Sequence, residues 1–193
     1  MKILLTGAQG VGKTTLIDEL LKTKEFKSFK KIGELTRTIC QKYFNVPSPK
    51  FFQNTSARIR FQKRIFIEQL FYELKHSKTN CLVDRGFLDF AVYTEQFLPS
   101  WRLKNLYIKA CLFFANRFYD YIIYIEPFSD DIVDDGVRSI NKDIRSKTEK
   151  IFKKLLTKFA RSRILILREK NLIKRVNVIK SFFSAPFIPN IIV

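Results

Sequence analysis

Three side chains in this sequence suggest chemistry before any others: Lys13, Thr14 and Asp84. Lys13 and Thr14 close the stretch GAQGVGKT, residues 7–14, which fits G-x-x-x-x-G-K-[ST] in full. Glycines at 7, 10 and 12 let a backbone turn tightly around a phosphate group. Its N–H groups and the following helix N-terminus then supply positive potential. Gly7, Gly10, Val11, Gly12, Lys13, Thr14 and Thr15 are therefore the expected phosphate-binding set. Lys13 should reach the outer phosphates, and the Thr14 hydroxyl should hold Mg²⁺. Asp84 ends the apolar run of CLVDRG, residues 81–86. In an open parallel sheet ligands bind at the carboxyl ends of strands. Asp84 is thus placed to hold Mg²⁺, directly or through water, or to act as base on an acceptor hydroxyl. Arg85 can reach a phosphate.

These residues need a frame, and the hydrophobic pattern predicts one. Residues 3–6 form a short apolar run before the glycine loop, and Leu16, Ile17, Leu20 and Leu21 have helical spacing over 14–21. Further strands are expected at 31–35, 81–83, 121–125 and 164–167. Helices are expected at 54–75, 89–97, 101–118, 141–160 and 171–183. VPSP at 46–49, Pro99 and Pro127 break the chain between elements. Strands alternating with helices predict an α/β fold, with a parallel sheet covered on both faces. No repeat or long linker divides residues 1–193, so a single domain is expected.

Composition narrows the classes. No apolar run reaches the roughly 18 residues needed to span a membrane, and the start MKILLTGAQG reads as a strand rather than a signal peptide. Three cysteines without CxxC spacing, and one histidine, argue against a disulfide frame, a zinc site or a histidine-rich metal site. A cytoplasmic location is expected. The formal charge of +18 is uneven: residues 142–180 carry 14 Lys or Arg against Asp143, Glu149 and Glu169. Such a field favours anionic partners and admits nucleic acid among them. A solvated lysine-rich helix face would look the same.

GAQGVGKTT, GELTR, DRGFLDFAVY, IEP and DDGVR, in this order, resemble small P-loop kinases, in particular ATPase-like domains related to bacterial nicotinamide riboside kinases. DRGFLDFAVY is also similar to the D-R-x…A-Y segment of thymidylate kinases. The resemblance covers roughly residues 1–180. It implies a three-layer P-loop kinase fold with about five parallel strands, helices on both faces and a helical lid near 127–160. It implies ATP and Mg²⁺ as ligands, with phosphoryl transfer to a nucleoside, a nucleoside monophosphate or a similar small acceptor. Gly12, Lys13 and Thr14 would bind ATP phosphates and Mg²⁺, and Arg85 would hold phosphate. Glu34 and Arg37 would face the acceptor, which makes Glu34 a rival to Asp84 as base. Two departures concern the acceptor. The acidic pair that some riboside kinases carry after the third strand is missing. Gly86 also stands where many nucleoside kinases have serine.

Around that centre, Arg60 and Arg64 share a helix face with Phe61 beside them, an arrangement that could stack a base and bind a phosphate. Core packing for Phe61 and solvation for the arginines is the plainer reading. Asp89 and Tyr93 are four apart on the next helix and either contact the acceptor or cap and pack that helix. Arg138 and Arg145 are seven apart and are expected to reach the phosphates when the lid closes. Around Arg138, DDIVDDGVR concentrates aspartates that would tether the arginines in an open lid, form an acidic hinge or keep the lid from closing on polyanions, while a solvated acidic turn is the plainer reading for Asp130 and Asp131. Two further readings remain: a kinase acting on nucleic acid, at a 5′ hydroxyl or a modified base, and a nucleotide-dependent binding or switch protein without an acceptor.

Overall fold

A computed structural model describes residues 1–33, 35–127, 142–159 and 163–184. Five parallel strands stand in the order β2-β3-β1-β4-β5. They are β1 (Lys2–Thr6), β2 (Lys30–Ile32), β3 (Cys81–Asp84), β4 (Tyr121–Ile125) and β5 (Arg163–Leu167). Seven helices connect and cover them: α1 (Lys13–Lys22), α2 (Leu35–Phe44), α3 (Thr55–Lys75), α4 (Phe87–Phe97), α5 (Lys104–Phe118), α6 (Lys142–Leu156) and α7 (Leu172–Ser184).

The strands alternate their side chains between two cores, as the period of two demands. Leu4, Val83, Ile122 and Tyr124 face the larger core, under α2 to α6. Ile3, Leu5, Leu82, Ile123 and Ile125 face the smaller one, under α1 and α7. β1 is buried along its whole length between β3 and β4. The register sets Leu5 beside Asp84 and Thr6 beside Tyr124, so three strands end together at one edge. That edge is where the chain changes direction across the sheet, the usual place for a ligand crevice.

The opposite edge is closed by a buried ion pair. Lys2 Nζ lies 2.5 Å from Glu73 Oε2 and donates to the Glu73 carbonyl at 2.7 Å, with side chains only 5% and 0% exposed. Gln69 donates to the other Glu73 oxygen at 2.8 Å. Tyr119 also hydrogen-bonds to Glu73. Cys40, Cys81 and Cys111 are buried thiols of the larger core.

Three elements depart from the sequence pattern. β2 is shorter than the expected 31–35, with Lys30 and Lys31 exposed and Ile32 buried. The chain then turns into α2, a helix the pattern did not predict, which buries Ile39 and Cys40. The second half of α6, expected within a lid, is built into the body: Phe152, Leu155 and Leu156 are buried. The aspartate-rich stretch 130–138 lies outside the described residues. No described helix is long and apolar enough to cross a membrane.

Candidate functional site

The phosphate loop runs from β1 into α1 with Gly7, Gly10 and Gly12 at φ values of 141°, 80° and 82°. Side chains are disfavoured at such values. At Gly7 a Cβ would also lie 2.5 Å from the Ile125 carbonyl oxygen, so β4 passes directly behind the loop. The Lys13 side chain is buried. Its ammonium donates to the carbonyls of Gly7 at 2.9 Å and Ala8 at 2.7 Å, so it folds back over the loop.

Thr14, the second helical residue, meets the end of β3. Its hydroxyl donates to Asp84 Oδ2 at 2.5 Å. Asp84 is 1% exposed, and its other oxygen, Oδ1, is buried without a hydrogen-bond partner. A buried, half-satisfied carboxylate is costly unless something else completes it. An alcohol and a carboxylate converging beside a phosphate loop suit a hard, oxygen-preferring cation such as Mg²⁺. Thr14 and Asp84 are the residues that would hold it.

Next to Asp84 the backbone turns into α4 through Arg85, at φ 67°. Arg85 Nη1 donates to the Tyr93 hydroxyl at 3.2 Å, and its guanidinium lies 5.7 Å from the Tyr93 ring centroid. Tyr93 stacks on Phe97 one turn later, at 6.2 Å and 9°. Arg58 of α3 lies over the far ring at 5.8 Å. The result is a ladder of arginine, two aromatic rings and arginine along one side of α4. Cations over ring faces are favourable, and the same surfaces suit a flat, anionic ligand.

α6 is fastened to α4. Gln96 donates to the Ile144 carbonyl at 2.8 Å, and Thr148 donates to Gln96 Oε1 at 2.7 Å. This clamp holds Arg145, whose Nε and Nη2 are buried without hydrogen-bond partners. The Tyr124 hydroxyl, at the end of β4, also lacks one. Burial pushes its pKa up, the charges of Glu149 and Glu126 add to this, and Arg145 opposes it. Unpaired donors and a bare carboxylate oxygen thus lie around the strand ends.

The family profile described as AAA domain matches residues 2–172. The chain belongs to that family. No curated protein sequence matches this AAA domain chain. Solved structures do resemble it. The "NadR protein in complex with NR" aligns with a TM-score of 0.70 at 18% identity, over 97% of this chain and 52% of that one. The AAA domain chain thus spans about half the length of that relative. Deoxyadenosine kinase from M. mycoides with bound dATP aligns at 0.63 and 15% identity, over 96% and 100% of the two chains. Thymidylate kinase from Candida albicans aligns at 0.57 and 13%, over 95% and 90%. At these identities the likeness is one of fold: the AAA domain has the architecture of small P-loop kinases.

The remaining expected residues are spread more widely. Asp89 caps α4: its Oδ2 accepts from Gly86 N at 3.0 Å and from the Thr6 hydroxyl at 2.9 Å. Burial raises its pKa, which Arg85 and Lys13 oppose. Phe61 is 4% exposed and packs against Phe44 and Phe52, so its ring faces are already occupied. Arg64 bonds to Tyr43 and Glu68 on the outer face of α3. Arg60 is exposed, as is Arg37 on α2. Glu34 and Arg138 lie outside the described residues. The AAA domain also has no room for a serine at 86, because a Cβ there would lie 2.2 Å from Tyr119 Oη. Tyr124, Arg58 and Phe97 also lie at this candidate site and are not in the residue set expected from the sequence. For Tyr124, the available signal was a hydroxyl ending an apolar strand beside Glu126.

Proposed function

We propose that this AAA domain is a Mg²⁺-dependent kinase that transfers the terminal phosphoryl group of ATP to a nucleoside, a nucleoside monophosphate or a similar small acceptor. One observation carries the reading. Thr14 and Asp84 meet at the strand ends beside the phosphate loop, with the second Asp84 oxygen buried and without a hydrogen-bond partner. A fold shared with NadR, deoxyadenosine kinase and thymidylate kinase supports it. So does the Arg85–Tyr93–Phe97–Arg58 ladder, whose rings and charges match a base and a phosphate.

Phosphoryl transfer mainly requires a protein to position the reactants and neutralise charge. Mg²⁺, when bound, supplies charge neutralisation at the donor phosphates. Lys13 leaves the Gly7 and Ala8 carbonyls for the outer phosphates. The acceptor oxygen bonds to the γ-phosphorus as the bond to the ADP oxygen breaks. The acceptor proton passes to a carboxylate, Asp84 or Glu34. Arg85 and Arg145 attract the charge that builds on the transferred group. The test is ADP release with a panel of ribo- and deoxynucleosides, their monophosphates, nicotinamide riboside and oligonucleotides. Acceptor-dependent release should fall at least about a hundredfold in Lys13→Ala and in Asp84→Asn. Turnover that survives in Lys13→Ala refutes the kinase reading.

A second reading, a nucleic-acid acceptor, is favoured by one feature: Lys147, Lys150, Lys154 and Lys158 are all exposed at helical spacing in or just beyond α6. Oligonucleotide affinity that falls steeply with salt would support it. Negligible binding at low salt would remove it.

A further inference from the structure

Arg175 lies in the first turn of α7, which covers the smaller core, yet only 6% of it is exposed. Its guanidinium reaches the phosphate loop. Nη1 donates to the Val11 carbonyl at 2.8 Å, and Nε donates to the Glu169 carbonyl at 2.6 Å. The Glu169 carboxylate accepts from the N–H groups of Lys170 and Asn171 at 2.8 and 2.9 Å. One buried arginine therefore joins the loop before α7 to the loop before α1 through two main-chain oxygens.

The peptide it grips matters. A trans peptide is planar, so its carbonyl and its N–H point in opposite directions. Holding the Val11 carbonyl outward turns the Gly12 N–H inward, toward the phosphate cradle. The hydrogen bond from Arg175 holds that carbonyl. Gly10 and Gly12 both sit at positive φ, and glycine neighbours make a peptide flip cheap. A flipped peptide would present a carbonyl oxygen, rather than a donor, to an anion. The space is also shared: a Cβ on Gly12 would lie 3.3 Å from Arg175 Nη1.

We propose that Arg175 is a positioning residue for the donor nucleotide. It fixes the Val11–Gly12 peptide so that the Gly12 N–H points at phosphate, and it makes the cradle rigid with the β5–α7 loop. The inference rests on the reading of residues 7–14 as the nucleotide-phosphate site.

The experiment uses the full chain, ADP with Mg²⁺ as probe, calorimetry for affinity and ¹⁵N-glycine NMR for the Gly12 amide. Wild-type chain should bind ADP, with a large change in the Gly12 amide shift. Arg175→Met, which keeps length but loses the fork, should weaken ADP binding roughly tenfold to a hundredfold, the range for a hydrogen bond to a charged group. It should also lose the Gly12 response. Arg175→Lys keeps a donor and should fall between the two, and it carries the test if Arg175→Met does not fold. Ile179→Ala is the control for a merely structural role, because Ile179 is buried in α7 and is not among the residues hydrogen-bonded to the loop. It should lower stability while keeping the Gly12 response. Full ADP affinity with an unchanged Gly12 response in a folded Arg175 variant overturns the proposal. So does an equal loss in Ile179→Ala. A wild-type chain that binds no ADP overturns the phosphate-site reading as well, which separates the two failures.

Discussion

Replacing Lys2 by Met should destabilise the chain strongly without touching the proposed nucleotide site. The Lys2 ammonium is held by the Glu73 carboxylate and carbonyl, and the pair is almost wholly buried. Methionine fills much of the same volume but leaves the Glu73 carboxylate, among the described residues, with Gln69 and Tyr119 as partners. Breaking a buried pair from one side costs about 3–5 kcal/mol, because the remaining charge is uncompensated. For a domain of this size each kcal/mol moves the melting point by roughly 2–4 °C, so the midpoint should fall by about 6–20 °C. Adding Glu73→Leu removes the stranded charge, and the double variant should return to within about 1 kcal/mol of wild type. Urea denaturation followed by the fluorescence of Trp101, the sole tryptophan, measures all four corners of the cycle. ADP affinity should not change, because Lys2 lies beside Cys81 at the opposite edge of the sheet from Asp84. Two results would refute the reasoning: a loss below about 1 kcal/mol in Lys2→Met, or a double variant as unstable as the two single changes added together.

Three more predictions follow from the site. Arg145→Ala should lower kcat on the order of a hundredfold to a thousandfold while ADP affinity stays near wild type, as steady-state kinetics and calorimetry would show. Gly86→Ala should cost about 1–3 kcal/mol by overpacking against Tyr119, and Tyr119→Leu in the same chain should lessen the penalty of the alanine in denaturation curves. Asp89 has a folded pKa above its ordinary 3.8. Its contribution to stability is therefore fully present below that value and is lost as pH rises through the folded value. Asn at 89 can keep the cap without the charge, so the stability of Asp89→Asn relative to wild type should rise across that window. A flat difference between pH 4 and pH 8 would contradict this.

Strands and phosphate loop were readable because each depends on local pattern. β1, β3 and β4 are short apolar runs ended by glycine, aspartate or proline, and the loop motif fixes the conformation of its own few residues. α2 escaped because β2 is only three residues long with two exposed lysines, so strand and helix run together as one mixed segment. Its apolar positions, Leu35, Ile39, Cys40 and Phe44, still follow helical spacing. Phe61 shows the limit of a face argument: the helix face was readable, but Phe44 and Phe52, which cover the ring, come from elsewhere in the chain. Arg175 shows it more strongly. Its contact with Val11 spans 164 positions, and no periodicity carries such a pairing. Gly86, read as a departure from kinase pattern, is explained by Tyr119, again a distant neighbour.

The folded-back Lys13 has a kinetic and energetic consequence. An ammonium already satisfied by the Gly7 and Ala8 carbonyls is no vacant socket. At the proposed site, an arriving nucleotide would compete with the loop's own oxygens, and its affinity would be the difference between two sets of bonds. The loop is stabilised without ligand. In the proposed reaction, release of ADP would let the lysine return to its carbonyls, an exchange internal to the chain.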